Sequence, residues 1–203
     1  PLIGRNNNPV VEIPRLGRVQ LVGYLHHHLR YIEPLIPDED GIALKLFLEP
    51  VIIGLNYADS QREAASNDAR ASDYAMLGLS GGGWTTHLVA AIEPRLRHSY
   101  PVASSVPLFQ RFEGRAVITD LNAYVQELPG LFPTVNYLEL YILAALEAER
   151  DQLMIVNQFD PCCFWGVRHE VWLGNVQARL AALAGGGFEG FLDDTHRQQH
   201  ISP

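Results

Sequence analysis

Residues 74–94 read YAMLGLSGGGWTTHLVAAIEP, and this stretch constrains the fold more than any other. The apolar run 74–80 has the length of a buried strand. It meets three glycines, and behind them Trp84, Leu88, Ala91 and Ile92 recur at helical spacing until Pro94 closes the pattern. The rest of the chain repeats the alternation. Residues 98–107 read as a strand and its exit, 137–149 as a helix, and 152–159 as a strand ending at Asp160-Pro161. Residues 167–184 read as an amphipathic helix carrying Val167, Val171, Val176, Leu180 and Leu183, and 188–194 as a last strand before Thr195-His196. Ahead of these, 10–13 and 18–24 are short apolar runs split by Pro14 and Gly17, expected as strands with a turn. Residues 42–58 look helical with Pro50 kinking or interrupting them, and 59–73 read as a polar helix end plus loop. Strands alternating with helices predict an α/β fold, a three-layer α/β/α sandwich around a mostly parallel sheet.

At 203 residues the chain suits one domain with a substantial core. Its 47% hydrophobic and 19% charged residues are an ordinary globular mixture with no repeat or low-complexity tract. A net charge of -8, with no basic stripe, argues against nucleic acid as a partner. No apolar run reaches the length of a membrane span. The chain opens on Pro1, so a removed leader stays open and with it the compartment. Cys162 and Cys163 adjoin each other, too constrained for an ordinary disulfide, and read as buried small hydrophobes rather than nucleophiles.

A parallel sheet presents its reactive groups at the carboxyl ends of its strands. Three candidates stand there: Ser80, Asp160 and His196. Ser80 lies in Gly78-Leu79-Ser80-Gly81-Gly82, a G-x-S-x-G pattern. On a sharp strand-to-helix turn a nucleophile takes strained dihedrals, and glycines two before and two after remove side chains that would clash. The same turn puts Ser80 at a helix start, where the Gly81 N–H points at a developing oxyanion. A serine hydroxyl needs a base, here His196, and the base needs a carboxylate to fix its tautomer, here Asp160. The chain order Ser, Asp, His suits this arrangement. His200 is the rival base if 195–199 loop out. Asp193 and Asp194 are rival acids, expected instead to cap or solvate the loop because they precede His196 so closely.

On these residues the chain resembles the α/β-hydrolase superfamily, and the resemblance spans about residues 18–203. MLGLSGGGWTTHLVAAIEPR looks like the nucleophile-elbow segment of bacterial esterases. LMIVNQFDPCCFWG and FLDDTHRQQHISP look like that fold's acid and histidine segments. The resemblance implies hydrolysis of an ester, amide or thioester through an acyl-serine, with a small-molecule ester as substrate and no metal or organic cofactor. Two departures stand out. The His-Gly loop that supplies a second oxyanion donor is missing, only His26, His27 and His28 following an early strand. The chain also stops at Pro203, where the family usually adds a closing helix, so it reads as a compact or trimmed version.

Other signals have blander readings. Three consecutive histidines point to opposite faces of an extended chain and rarely ligate one ion. GLSGGG matches no phosphate-binding spacing and no Lys follows it. The aromatics of 108–136, Phe109, Phe112, Tyr124 and Phe132, fit either a lid or acyl-binding wall, or plain core. A peptidase or thioesterase with the same triad, and a non-catalytic scaffold that binds a ligand, are the competing readings.

Overall fold

The structure is a computed structural model that describes residues 10–13, 17–20, 44–65, 73–111, 131, 134–161 and 164–202. The chain divides into two units, one of Pro1–Phe47 and Ile118–Val135, the other of Leu48–Val117 and Asn136–Pro203. In the first unit β1 (Val10–Ile13) pairs antiparallel with β2 (Gly17–Gln20), Val10 opposite Gln20. Gly17 takes φ 72°, a left-handed value that glycine adopts without a Cβ clash. Residues 21–24, His26, His27, His28, Cys162, Cys163 and most of 112–133 lie outside the described residues.

The second unit is built on a four-stranded sheet in the order β3 (Tyr74–Leu79), β4 (Leu96–Val102), β5 (Asp151–Asn157), β6 (Gly187–Asp193). All three pairings are parallel, so the four carboxyl ends share one edge. This is the α/β architecture that the alternating pattern predicts. Helices α1 (Lys45–Ala65), α2 (Gly81–Ile92), α3 (Leu108–Arg111), α4 (Tyr137–Ala144) and α5 (Glu170–Ala182) connect and flank the strands.

Boundaries differ from the sequence reading for local reasons. Helix α1 runs through Pro50 and on to Ala65. Its polar end is tied down, because Asp59 accepts from the Tyr74 hydroxyl at 2.6 Å and from Arg95 at 2.6 Å. Strand β4 stops at Val102 because Ala103 turns the chain at φ 42°. Helix α4 starts on a capping box between Asn136 and Glu139 but ends at Ala144. There the chain must turn into β5 alongside Gly186, where a Cβ would stand 1.8 Å from the Arg150 carbonyl oxygen.

Core residues pack on both faces of the sheet: Val102, with Ala103, Val106 and Phe164, packs against Leu79 and Ile155 on one, and the larger aromatic group lies on the other. Gln152, Met154 and Val156 of β5 and Phe188 of β6 are buried there, in the alternation a half-covered strand produces. Against them Tyr141 of α4 stacks on Trp172 of α5 at 4.8 Å, and Trp84 of α2 donates to the Tyr137 hydroxyl at 2.6 Å. The buried Arg150 guanidinium donates to the carbonyl oxygens of Ala90 and Leu96, holding the last turn of α2 where backbone acceptors lack helical partners. On the opposite face Leu77 and Phe191 are 54% and 53% exposed.

Candidate active site

Ser80 joins β3 to α2. Its N–H donates to the Val102 carbonyl at 2.9 Å and its carbonyl accepts from Trp84 N at 2.9 Å, so both sides of the turn are pinned. Between these anchors its backbone sits at φ 56°, ψ −118°, a region that a residue with a Cβ enters only under strain. Its hydroxyl makes no capping bond to the helix. The turn depends on Gly78, where a Cβ would fall 2.2 Å from the Gly82 carbonyl oxygen and 2.6 Å from Thr86 Oγ1. The second close approach is at Gly83 rather than at Gly82: a Cβ on Gly83 would stand 2.7 Å from Ser104 Cβ, whereas Gly82 faces open space. Gly81 is the first residue of α2, among the N–H groups that have no intrahelical acceptor.

Beneath the elbow lies a polar network that the sequence pattern does not reveal. His87 of α2 is fully buried, with Nδ1 2.8 Å from Gln152 Oε1 and Nε2 2.8 Å from Ser104 Oγ. Gln152 donates onward to Ser99 Oγ at 2.9 Å. Burial pushes the His87 pKa down to about 3, only partly opposed by Gln152, so the ring is neutral. It therefore acts as a hydrogen-bonded tie between α2, β5 and the residues after β4. A small pocket opens at that edge, lined by Ala103, Ser104, Val106, Phe164, Trp165 and His169 among others.

At the end of β5, Asp160 is buried and its carboxylate accepts from Phe164 N at 3.3 Å and from Gln199 Nε2 at 3.1 Å. The loop after β6 thus folds back over the end of β5. Asn157, also buried, donates to the His200 carbonyl at 3.0 Å. His196 and His200 lie against each other with ring centroids 3.5 Å apart. The carboxylate bonded to His196 is that of Asp193, at 3.0 Å from Nε2.

The expectation that Asp193 is too close in sequence to meet His196 fails on a local turn. Thr195 N and Oγ1 both donate to Asp193 Oδ1, at 3.0 and 2.6 Å, and this side-chain-closed turn brings the ring back. Burial alone would push the Asp193 carboxyl up. The donors Ser202 and Thr195 and the neighbouring His196 outweigh it and hold the group well below the ordinary carboxylate range. Among the described residues the Ser80 hydroxyl makes no hydrogen bond to either imidazole, so the elbow and the histidine loop share the sheet edge without touching through Ser80.

A parallel sheet whose first strand turns through a strained serine into a helix defines an α/β protein with a candidate nucleophile at its carboxyl edge. No known family profile and no curated protein matches the sequence. Among solved structures, the chain is similar to an acetyl xylan esterase from Paenibacillus sp. R4, at 15% identity and TM-score 0.43, over 78% of this chain and 48% of that one. It is also similar to acetyl xylan esterase 1 from Thermoanaerobacterium sp. JW/SL YS485, at 14% identity and TM-score 0.47, over 91% of this chain and 55% of that one. The chain spans about half the length of these two proteins. Among the described residues no helix is long and apolar enough to cross a membrane.

Proposed function

We propose that this chain is a serine hydrolase that cleaves carboxylic esters through an acyl-serine intermediate. The observation that carries the reading is the backbone of Ser80, at φ 56°, ψ −118°. Such strain costs about 1–3 kcal/mol and persists where a site uses it. A turn that only joined a strand to a helix would favour glycine at this φ.

In the proposed reaction Ser80 Oγ bonds to the ester carbonyl carbon while an imidazole of the loop after β6 takes the hydroxyl proton. The Gly81 N–H and the start of α2 stabilise the oxyanion. As the tetrahedral intermediate collapses, the carbon–oxygen bond to the alcohol breaks and the imidazole returns the proton to the leaving oxygen. Water repeats the sequence on the acyl-serine and regenerates Ser80. His196 is the base of the sequence reading, with Asp160 as its orienting acid. The buried carboxylate that contacts His196 in the structure is that of Asp193, at the end of β6.

The test is turnover of p-nitrophenyl acetate and butyrate. The expected result is steady hydrolysis preceded by a burst of p-nitrophenol near one equivalent per chain, the kinetic mark of an accumulating acyl-enzyme. No turnover of esters, thioesters or aminoacyl amides by the folded protein would overturn the reading.

A further inference from the structure

We infer that His87 is a positioning residue for Ser80: through its hydrogen bond to Ser104 it fixes the exit of β4, and with it the Val102 carbonyl to which the strained elbow is bonded. The inference rests on the serine-hydrolase reading above and names a residue that supports the same site from below.

Gln152 donates through Nε2 to Ser99 Oγ at 2.9 Å, which leaves its Oε1 to face His87 Nδ1 at 2.8 Å as an acceptor. Nδ1 therefore carries the ring hydrogen, and the neutral ring offers Nε2 bare. The Ser104 hydroxyl, 2.8 Å from Nε2, is then the donor. Serine, imidazole and amide thus stand in the order and at the spacing of a nucleophile, a base and its orienter. They do not act as one. Ser104 and His87 are fully buried, and the burial that pushes the His87 pKa down to about 3 leaves the ring a poor proton acceptor. What the bonds do is fasten α2, β5 and the segment after β4 to one another.

The segment so fastened is the one that holds Ser80. His87 stands one helical turn after Gly83, on the same face of α2. A Cβ on Gly83 would meet Ser104 Cβ and the Val102 carbonyl oxygen, both at 2.7 Å, so this face of the helix is seated on residues 102–104. Gly83 lets the helix approach that closely, and the His87–Ser104 bond keeps it there. The same Val102 carbonyl accepts the Ser80 N–H at 2.9 Å. Between Val102 and Ser104 the chain turns at Ala103, at φ 42°, whose own N–H donates to the Ile155 carbonyl at 2.9 Å. Beyond Ser104, the Ser105 hydroxyl is 2.8 Å from the Tyr141 hydroxyl, and the Tyr141 ring lies 4.9 Å from that of His87. The exit of β4 is therefore pinned on both sides of Ala103, and His87 is the side-chain pin from α2. Without it the buried Ser104 hydroxyl loses its acceptor, and such a group moves to find another. That movement carries Val102 with it, and the Ser80 backbone leaves φ 56°, ψ −118°.

The test separates the two ring nitrogens. In His87→Gln the amide falls where Nε2 stands and still accepts from Ser104. In His87→Asn it falls where Nδ1 stands, keeping Gln152 and giving up Ser104. Each variant leaves one buried group unpaired, so a purely structural role predicts similar behaviour from both. On p-nitrophenyl acetate, His87→Asn is expected to lower kcat about a hundredfold with KM unchanged, the scale of an ångström's misplacement, while His87→Gln stays within about threefold of wild type. Amide hydrogen exchange reads the tie without catalysis. Relative to the amides of α5, exchange of the Ser80 N–H is expected to quicken about tenfold in His87→Asn and not in His87→Gln. Should circular dichroism show either histidine variant unfolded, Ser104→Ala takes its place; it removes one oxygen and is expected to match His87→Asn in both readouts. Equal kcat in the Gln and Asn variants, or wild-type kcat and wild-type Ser80 exchange in Ser104→Ala, would overturn the assignment. A wild-type protein that neither turns over esters nor reacts with a fluorophosphonate defeats the serine reading alone, because exchange of the Ser80 N–H still decides whether His87 holds the turn.

Discussion

Replacing Ser80 with alanine is expected to lower kcat/KM for p-nitrophenyl butyrate by about 10⁴-fold or more, the loss that follows removal of an attacking oxygen. The unfolding midpoint in urea should stay within experimental error, because the Ser80 hydroxyl makes no capping bond whose loss would be felt. Ser80→Gly sharpens the point. It should be equally inactive yet more stable than Ser80→Ala by about 1 kcal/mol, because glycine tolerates the backbone at φ 56° that both other residues hold under strain. Full activity in either variant would remove Ser80 from the chemistry. Equal stability of the glycine and alanine variants would remove the strain argument.

The second large effect is on stability. Gly78→Ala places a methyl 2.2 Å from the Gly82 carbonyl oxygen, and that atom belongs to helix backbone that cannot swing aside. The turn must open, at a cost of about 3 kcal/mol, the upper end of overpacking penalties. Urea denaturation followed by circular dichroism measures this. Gly82→Ala is the internal control, since a Cβ there meets nothing within 4 Å and alanine favours the helix. It should be neutral or slightly stabilising. If the two variants lost equal stability, Gly78 would not be the residue that lets β3 pass so close to α2.

What the sequence makes legible is what is local. The strand, the glycines and the helix of the elbow adjoin one another, so spacing alone places Ser80 at the turn, and strand–helix alternation is enough to predict a parallel sheet. The assignment of clash relief to Gly82 does not survive, because the close neighbours of Gly83 are Ser104 and Val102, which no motif ties to it. The network under the elbow is invisible for the same reason. His87 sits on an apolar helix and its partners Gln152 and Ser104 are 65 and 17 residues away. The Asp193–His196 contact is hidden differently. It is local, but it depends on Thr195 closing a turn on Asp193, and a strand-like extension of the same residues would point the two groups apart. Asn157 carries no motif at all, and shows its role only once the loop after β6 folds over it.

The central claim is that an activated hydroxyl stands at the β3–α2 turn. Incubating the folded chain with a fluorophosphonate, then taking the intact mass and mapping the labelled peptide, tests it whatever ester the protein cleaves. A single adduct on Ser80 is the result expected. An unmodified mass, or a label on any other side chain while the protein remains folded, would contradict it.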